Sequence, residues 1–347
     1  VAGLVDGLIG RLRDRPRPTG RRRTFLLIGA AGLFLGAMVL AIRSLPTGEL
    51  TVNWPLVVLT GVVGAPALLF MNALEYGLSA RVLGRRVERR DAVAVAVYGG
   101  AANLLPIPGT ALVRLQALTR QGTGVGRAAG ATAVVAVAWF GAAGFVGASA
   151  AALGATWWLA GLLLAGGLVT VPVVHQSVIR LKRRATTVAE TEGSGDSWAD
   201  VPAPRLVAEL YGIEVAMIVV RALRFWLVIL AFDLDATILT AFVLPVAGVI
   251  ASALGFLPGG LGVREVVAGA LSGANGDTVA VGVLASGLDR IIALPVLAVI
   301  ALGLAAWERR HPIEPAGREE VPAAEADNRL DPVEGAMSCG RSRDFDL

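Results

Sequence analysis

Two short stretches of the chain combine residue types that can grip an anion. Pro108-Gly109-Thr110-Ala111-Leu112-Val113-Arg114 and Pro258-Gly259-Gly260-Leu261-Gly262-Val263-Arg264 share Pro, Gly, Val and Arg at identical spacing. Proline ends an incoming helix, and glycine permits a sharp turn and a close backbone approach. The helix that follows opens with unbonded N–H groups, so Gly259 and Gly260 frame an anion site. An arginine within the next two turns, Arg114 or Arg264, can hold a phosphate through two parallel hydrogen bonds. A second reading stands beside this one. Each arginine snorkels, or pairs with a carboxylate such as Glu265, and only pins the turn in place. Glu209, Glu214, Arg221 and Arg224 add charges inside one apolar run, and Glu75 and Asp289-Arg290 do so in two others. Glu214 and Arg221 are seven residues apart and so share one helical face. Charges so placed serve either inter-helix ion pairing or a polar track for a lipid headgroup, and they should face inward.

Other chemistries lack their residues. Cys339 is the single cysteine, which excludes an intrachain disulfide and a thiolate cluster. His175 and His311 are the only histidines and stand beside charged segments, so no zinc or haem site is expected. No Ser or Cys is set beside a His by a recognisable motif, and the carboxylates, Asp289 among them, are isolated in sequence. A nucleotide-binding loop is absent. The expectation is a protein without cofactors that is not an enzyme.

These residues need elements to position them, and composition says which. Of 347 residues 55% are hydrophobic and 17% charged, with a mean hydropathy of +0.68. Soluble chains keep about a quarter of their residues charged. A bilayer core of about 30 Å needs roughly 20 apolar residues in a helix. Residues 24–42, 54–80, 127–153, 156–174, 206–232 and 277–306 meet that length. Two further runs, 92–119 and 237–273, are interrupted by the Pro-Gly stretches. Each half is too short to cross alone and reads best as one arm of a re-entrant hairpin. The fold class is therefore all-α: a polytopic membrane bundle of about six full spans plus two Pro-Gly-broken re-entrant hairpins. Because the two broken runs resemble each other and enter from opposite faces, they predict an inverted internal repeat. Trp139, Trp157-Trp158, Trp226 and Trp307 are read as interface or packing residues.

Arginine placement fixes an orientation. Seven arginines lie in residues 11–23 and five in 81–90; further clusters stand at 180–184 and 309–310. The positive-inside rule then puts all of these, and both termini, in the cytoplasm of a multi-pass cell-membrane protein. Although the sequence pI is about 9.9, the basic residues are dispersed beside apolar runs, which excludes nucleic acid. The organisation expected is a basic N-terminus (1–23), a membrane domain (24–306) and a disordered tail (307–347). The membrane domain divides into halves at 24–174 and 206–306, joined by a flexible loop at 175–205. Arg22-Arg23 resembles the start of an export signal, but the run after it is long and is read as a retained signal anchor.

At Pro258-Gly259-Gly260-Leu261-Gly262-Val263-Arg264-Glu265 the chain resembles the lysylphosphatidylglycerol synthase transmembrane, or flippase-like, family. An earlier Asn…Pro…Gly-Glu…Arg element of that family is matched by Asn103, Pro106 and Arg114, with Thr110-Ala111 where the Gly-Glu pair is expected. The resemblance covers roughly residues 24–306 and implies a membrane domain that moves a polar lipid between leaflets. In some relatives such a domain precedes a soluble one that transfers lysine to lipid. The roughly 40 polar residues after the last span are too few for that. The function expected is transport of an anionic or glycosylated lipid. The alternative is a non-catalytic partner of lipid or lipid-linked glycan synthesis, docking a membrane or cytoplasmic protein. A lipid-modifying enzyme comes third.

Overall fold

A computed structural model describes residues 20–44, 51–102, 109–192, 201–254 and 260–310. Readings made on the first 19 residues, on Asn103, Pro106, Pro108, Pro258 and Gly259, and on the tail with His311 and Cys339 lie outside the described residues, as do residues 193–200 of the joining loop. The chain divides into two units, Val1–Gly303 and Leu304–Leu347. Only helical residues, as far as Arg310, are described in the second.

The described residues are helical, without strand. Helix α1 is Gly20–Arg43 and α2 is Trp54–Val82, with a π-helical turn at Thr60–Gly64. The first broken run gives α3 (Arg89–Ala102) and α4 (Gly109–Arg120). Then come α5 (Val125–Leu153), α6 (Trp157–Glu192) and α7 (Ala203–Ala231). The second broken run gives α8 (Ile238–Val243), α9 (Pro245–Leu254) and α10 (Val263–Ala274), and α11 is Val279–Arg310. Among the described residues four helices, α2, α5, α6 as far as Arg183, and α11, are long and apolar enough to cross a membrane. Helix α7 has 29 residues, about 43 Å of rise, but carries too many charges to join them on composition.

Local chemistry sets the boundaries. Pro55 and Pro204 sit in the first turns of α2 and α7, where the missing N–H costs nothing. The Thr237 side chain accepts from the Thr240 N–H and caps α8. Pro245 bends that apolar segment at Leu244 without ending it.

The order of elements recurs. Helices α2, α3, α4 and α5 begin about 150 residues before α7, α8, α10 and α11 respectively. Each set has its own apolar core, one around Tyr76, Leu118, Val135 and Leu210, the other around Phe225, Val246, Ala268 and Leu284. Helices α5 and α7 contribute to both. Small residues bring α5 and α6 together: a Cβ on Gly144 would stand 2.8 Å from the Leu163 carbonyl oxygen.

In both broken runs the residues before the first helix, or in it, lie close to those after the last. Gly122, just after α4, lies against Arg85, just before α3, beside the start of α5. Arg81 meets Glu209 of α7 at this same end, at 4.0 Å. In the second run, Asn275 after α10 donates to Thr240 Oγ1 of α8 at 2.9 Å, and Asp277 accepts from the Thr237 N–H at 3.4 Å. Gly154, just past the end of α5, faces Asn275. The 29 residues of α5, about 43 Å, therefore separate the two ends.

Candidate functional site

Helix α4 is anchored to α3 by Thr110, whose hydroxyl donates to the Gly99 carbonyl at 3.0 Å. One turn further, Arg114 reaches α2, where its two terminal nitrogens donate to the two oxygens of Glu75, each at 2.6 Å. These side chains are 7% and 5% exposed, so the pair is bidentate and dry. Glu214 enters from α7, wholly buried and within electrostatic reach of Glu75 and Arg114. Its oxygens face the Glu75 carboxyl group, and no N–H of the described residues donates to them.

The second break shows why its sequence is rich in glycine. Gly260 and Gly262 have φ of +68° and +79°, where a side chain is strained. A Cβ on Gly262 would also stand 2.5 Å from Leu33 of α1. The Gly262 N–H donates to Glu265 Oε2 at 2.8 Å, which caps α10, and Arg290 of α11 approaches the other Glu265 oxygen at 3.5 Å. Arg264 donates to Asp289 Oδ2 at 3.0 Å with its guanidinium 5.4 Å from the Phe225 ring centroid. Asp289 Oδ1 accepts from Arg224 at 2.6 Å. The stem of Arg224 runs past the π-helical turn of α2: a Cβ on Gly64 would stand 2.8 Å from Arg224 Cγ. Such turns widen a helix locally, and here the turn makes way for a charged side chain.

Between the two groups stands Arg221. Its guanidinium lies 5.2 Å from the Trp139 ring centroid of α5, and no carboxylate of the described residues is within 4.0 Å. The Arg221 Nε–H is buried and donates to nothing, and the same holds for the Trp139 Nε1–H. Arg224 and Arg264 are its cationic neighbours.

Arg114, Arg264, Glu265, Glu214 and Arg221, singled out in sequence, are thus gathered in the interior, with Gly260 shaping the second turn. Two sequence expectations need correcting. Arg264 does not pair with Glu265. Successive helical residues point about 100° apart, so Glu265 turns back to the cap while Arg264 crosses to Asp289. Nor are the carboxylates isolated in space, since Glu75 and Glu214 face each other from two helices and Asp289 of a third stands among Arg221, Arg224 and Arg264. Trp139, read as packing, is in contact with a free cation. Its only sequence signal is an indole amid the small residues of α5.

The two halves match in one further respect. The residue 39 positions before the motif arginine lies against it in both: Glu75 against Arg114, and Phe225 against Arg264. Chemically, the ensemble of Arg114, Arg221, Arg224, Arg264 and Arg290 against Glu75, Glu214, Glu265 and Asp289 suits anion binding and exchange of ion-pair partners. Among the described residues no three His, Cys, Asp or Glu side chains gather to hold a metal. A surface depression lined by Thr51, Asn53, Trp54 and Asp233 lies at the end of the bundle, away from these charges.

Long apolar helices enclosing buried ion pairs define a polytopic α-helical membrane protein. The chain belongs to the family described as the lysylphosphatidylglycerol synthase TM region, whose model matches residues 25–303. No curated protein matches it.

Proposed function

We propose that this protein carries a polar lipid with an anionic or glycosylated headgroup between the leaflets of the cell membrane, without covalent chemistry. The observation that carries this reading is the line of buried charge from Glu75 through Arg221 to Asp289, which offers a headgroup a path between lipid-facing helices. Its placement suits transport. The two broken runs return to opposite ends of α5, which supports re-entrant hairpins entering from opposite faces. The recurring element order and the shared 39-residue contact support a duplicated, inverted architecture with two exchangeable faces. The Arg81–Arg90 end, which also holds Glu209 and the start of α7, is the cytoplasmic one by its positive charge.

The test is a headgroup-resolved translocation assay in proteoliposomes of defined composition. Wild type speeds the passage of an anionic or glycosylated lipid over protein-free vesicles. A rate equal to that of empty vesicles for every headgroup class rejects transport and leaves the membrane-partner reading.

A further inference from the structure

We infer that Arg221, seated on Trp139, is the binding point for one phosphodiester anion of a hydroxyl-bearing lipid headgroup. The inference rests on the transport reading for its biological use, but not for its test.

Charge bookkeeping is the first support. Every other guanidinium in the ensemble has a carboxylate: Arg114 has Glu75, Arg224 and Arg264 share Asp289, and Arg290 has Glu265. Arg221 has an aromatic face instead. An indole can hold a guanidinium in place by its quadrupole but leaves the positive charge uncancelled. Arg224 and Arg264, which share one carboxylate between them, add to the positive potential at Arg221. A headgroup with net negative charge is drawn to that potential more strongly than a zwitterion.

Geometry is the second support. The Arg221 Nε–H and Trp139 Nε1–H are both buried donors without acceptors. Gly248 of α9 lies beside the guanidinium, where a Cβ would stand at ordinary contact distance, 3.9 Å from Arg221 Nη1. Two turns along the same face, Glu214 offers two buried oxygens without donors, which suits headgroup hydroxyls. Donors for a phosphate at one point and acceptors for hydroxyls at the next describe a phosphoglycerol, phosphoinositol or glycosyl-phosphate headgroup.

The repeat supplies the third support. Counting 150 residues on from Trp139, the same step that separates Arg114 from Arg264, arrives at Asp289. Where the second half sets a carboxylate among its arginines, the first sets an indole. It is this indole that Arg221 meets in place of a carboxylate.

The experiment measures binding and stability separately from transport. Purified protein in neutral detergent is titrated with short-chain phosphatidylglycerol and, for comparison, phosphatidylcholine; the variants are Arg221→Gln, Trp139→Phe and Trp139→Leu. Wild type should prefer phosphatidylglycerol. Arg221→Gln should lose that preference at least tenfold, yet melt no lower than wild type, because it removes an uncompensated buried charge rather than a partner. Trp139→Phe should retain most of the affinity, and Trp139→Leu should lose roughly 2- to 30-fold, the span of a cation–π contact. Arg221→Gln that binds phosphatidylglycerol like wild type overturns the proposal. So does Arg221→Gln that loses stability, which would make the arginine structural, and so does equal binding of the two lipids by wild type. Selective binding through Arg221 with no movement of lipid in vesicles would instead refute the transport reading and leave this site standing.

Discussion

Removing the Arg114 charge tests the heart of the first half. In Arg114→Gln, Glu75 loses both of its 2.6 Å partners while remaining 5% exposed, and Glu214 still faces it with no donor of its own. Breaking one side of a buried pair typically costs about 3–5 kcal/mol, because the remaining ion has neither water nor counter-ion. The bidentate geometry and the second carboxylate put this case at the upper end. The double variant Glu75→Gln/Arg114→Gln removes both ions and leaves two amides able to bond each other, so most of the loss should return. Arg114→Lys should fall between, keeping charge and losing the planar fork. Chemical denaturation in mild detergent, followed by circular dichroism or tryptophan emission, reads all three. Arg114→Gln within about 0.5 kcal/mol of wild type, as an ordinary surface change would be, refutes the reasoning. So does a double variant no more stable than the single one.

Other substitutions probe the second half and the orientation. Arg264→Gln should cost less stability than Arg114→Gln, since Asp289 keeps Arg224 at 2.6 Å; paired melting curves give the comparison. Asp289→Asn strips the counter-ion from Arg224 and Arg264 together and should cost about 3–5 kcal/mol in the same assay. Gly262→Ala should cost more than 1 kcal/mol, roughly the floor for a strained backbone, because φ is +79° and Leu33 occupies the Cβ position; its unfolding midpoint checks this. On a Cys339→Ser background, a membrane-impermeant thiol reagent added to intact cells should label Asp235→Cys and not Gly124→Cys, both exposed and at opposite ends of the bundle. The reverse pattern would invert the topology.

The sequence announced its helices well because lipid leaves few choices: apolar runs of the required length became α1, α2, α5, α6, α7 and α11 within a few residues at most ends, though α6 runs on to Glu192. The two broken runs gave separate helices on either side of the Pro-Gly stretches, of which residues 103–108 and 255–259 lie outside the described residues. Pairing was not legible. Glu75 and Arg114 are 39 residues apart, and Arg224 and Asp289 are 65 apart; only the packing of the helices selects those partners. Glu265 beside Arg264 misled by adjacency, whereas helical geometry sends neighbours to different sides. The π-helical turn at Thr60–Gly64 left no composition signal, because what calls for it is the Arg224 stem arriving from another helix.

The halves neutralise their motif arginines differently, and the difference has mechanical consequences. Arg114 has one carboxylate, taken through both oxygens from the preceding long helix; it cannot leave without stranding Glu75 beside Glu214. Arg264 shares Asp289 of the following long helix with Arg224, and an aromatic ring backs it on the other side. If Arg264 turns away, Asp289 retains a cation, so the ion left behind costs far less than in the first half. Helix α7 supplies Glu214 to the first group and Arg221, Arg224 and Phe225 to the second, so a shift of this one helix alters both. An anion at Arg221 attracts Arg224 and Arg264 as well, and thereby competes with Asp289 for them. On the transport proposal, partner exchange of that kind would let a headgroup enter a dry interior with no moment at which a carboxylate stands alone, and the second half would be the one to yield.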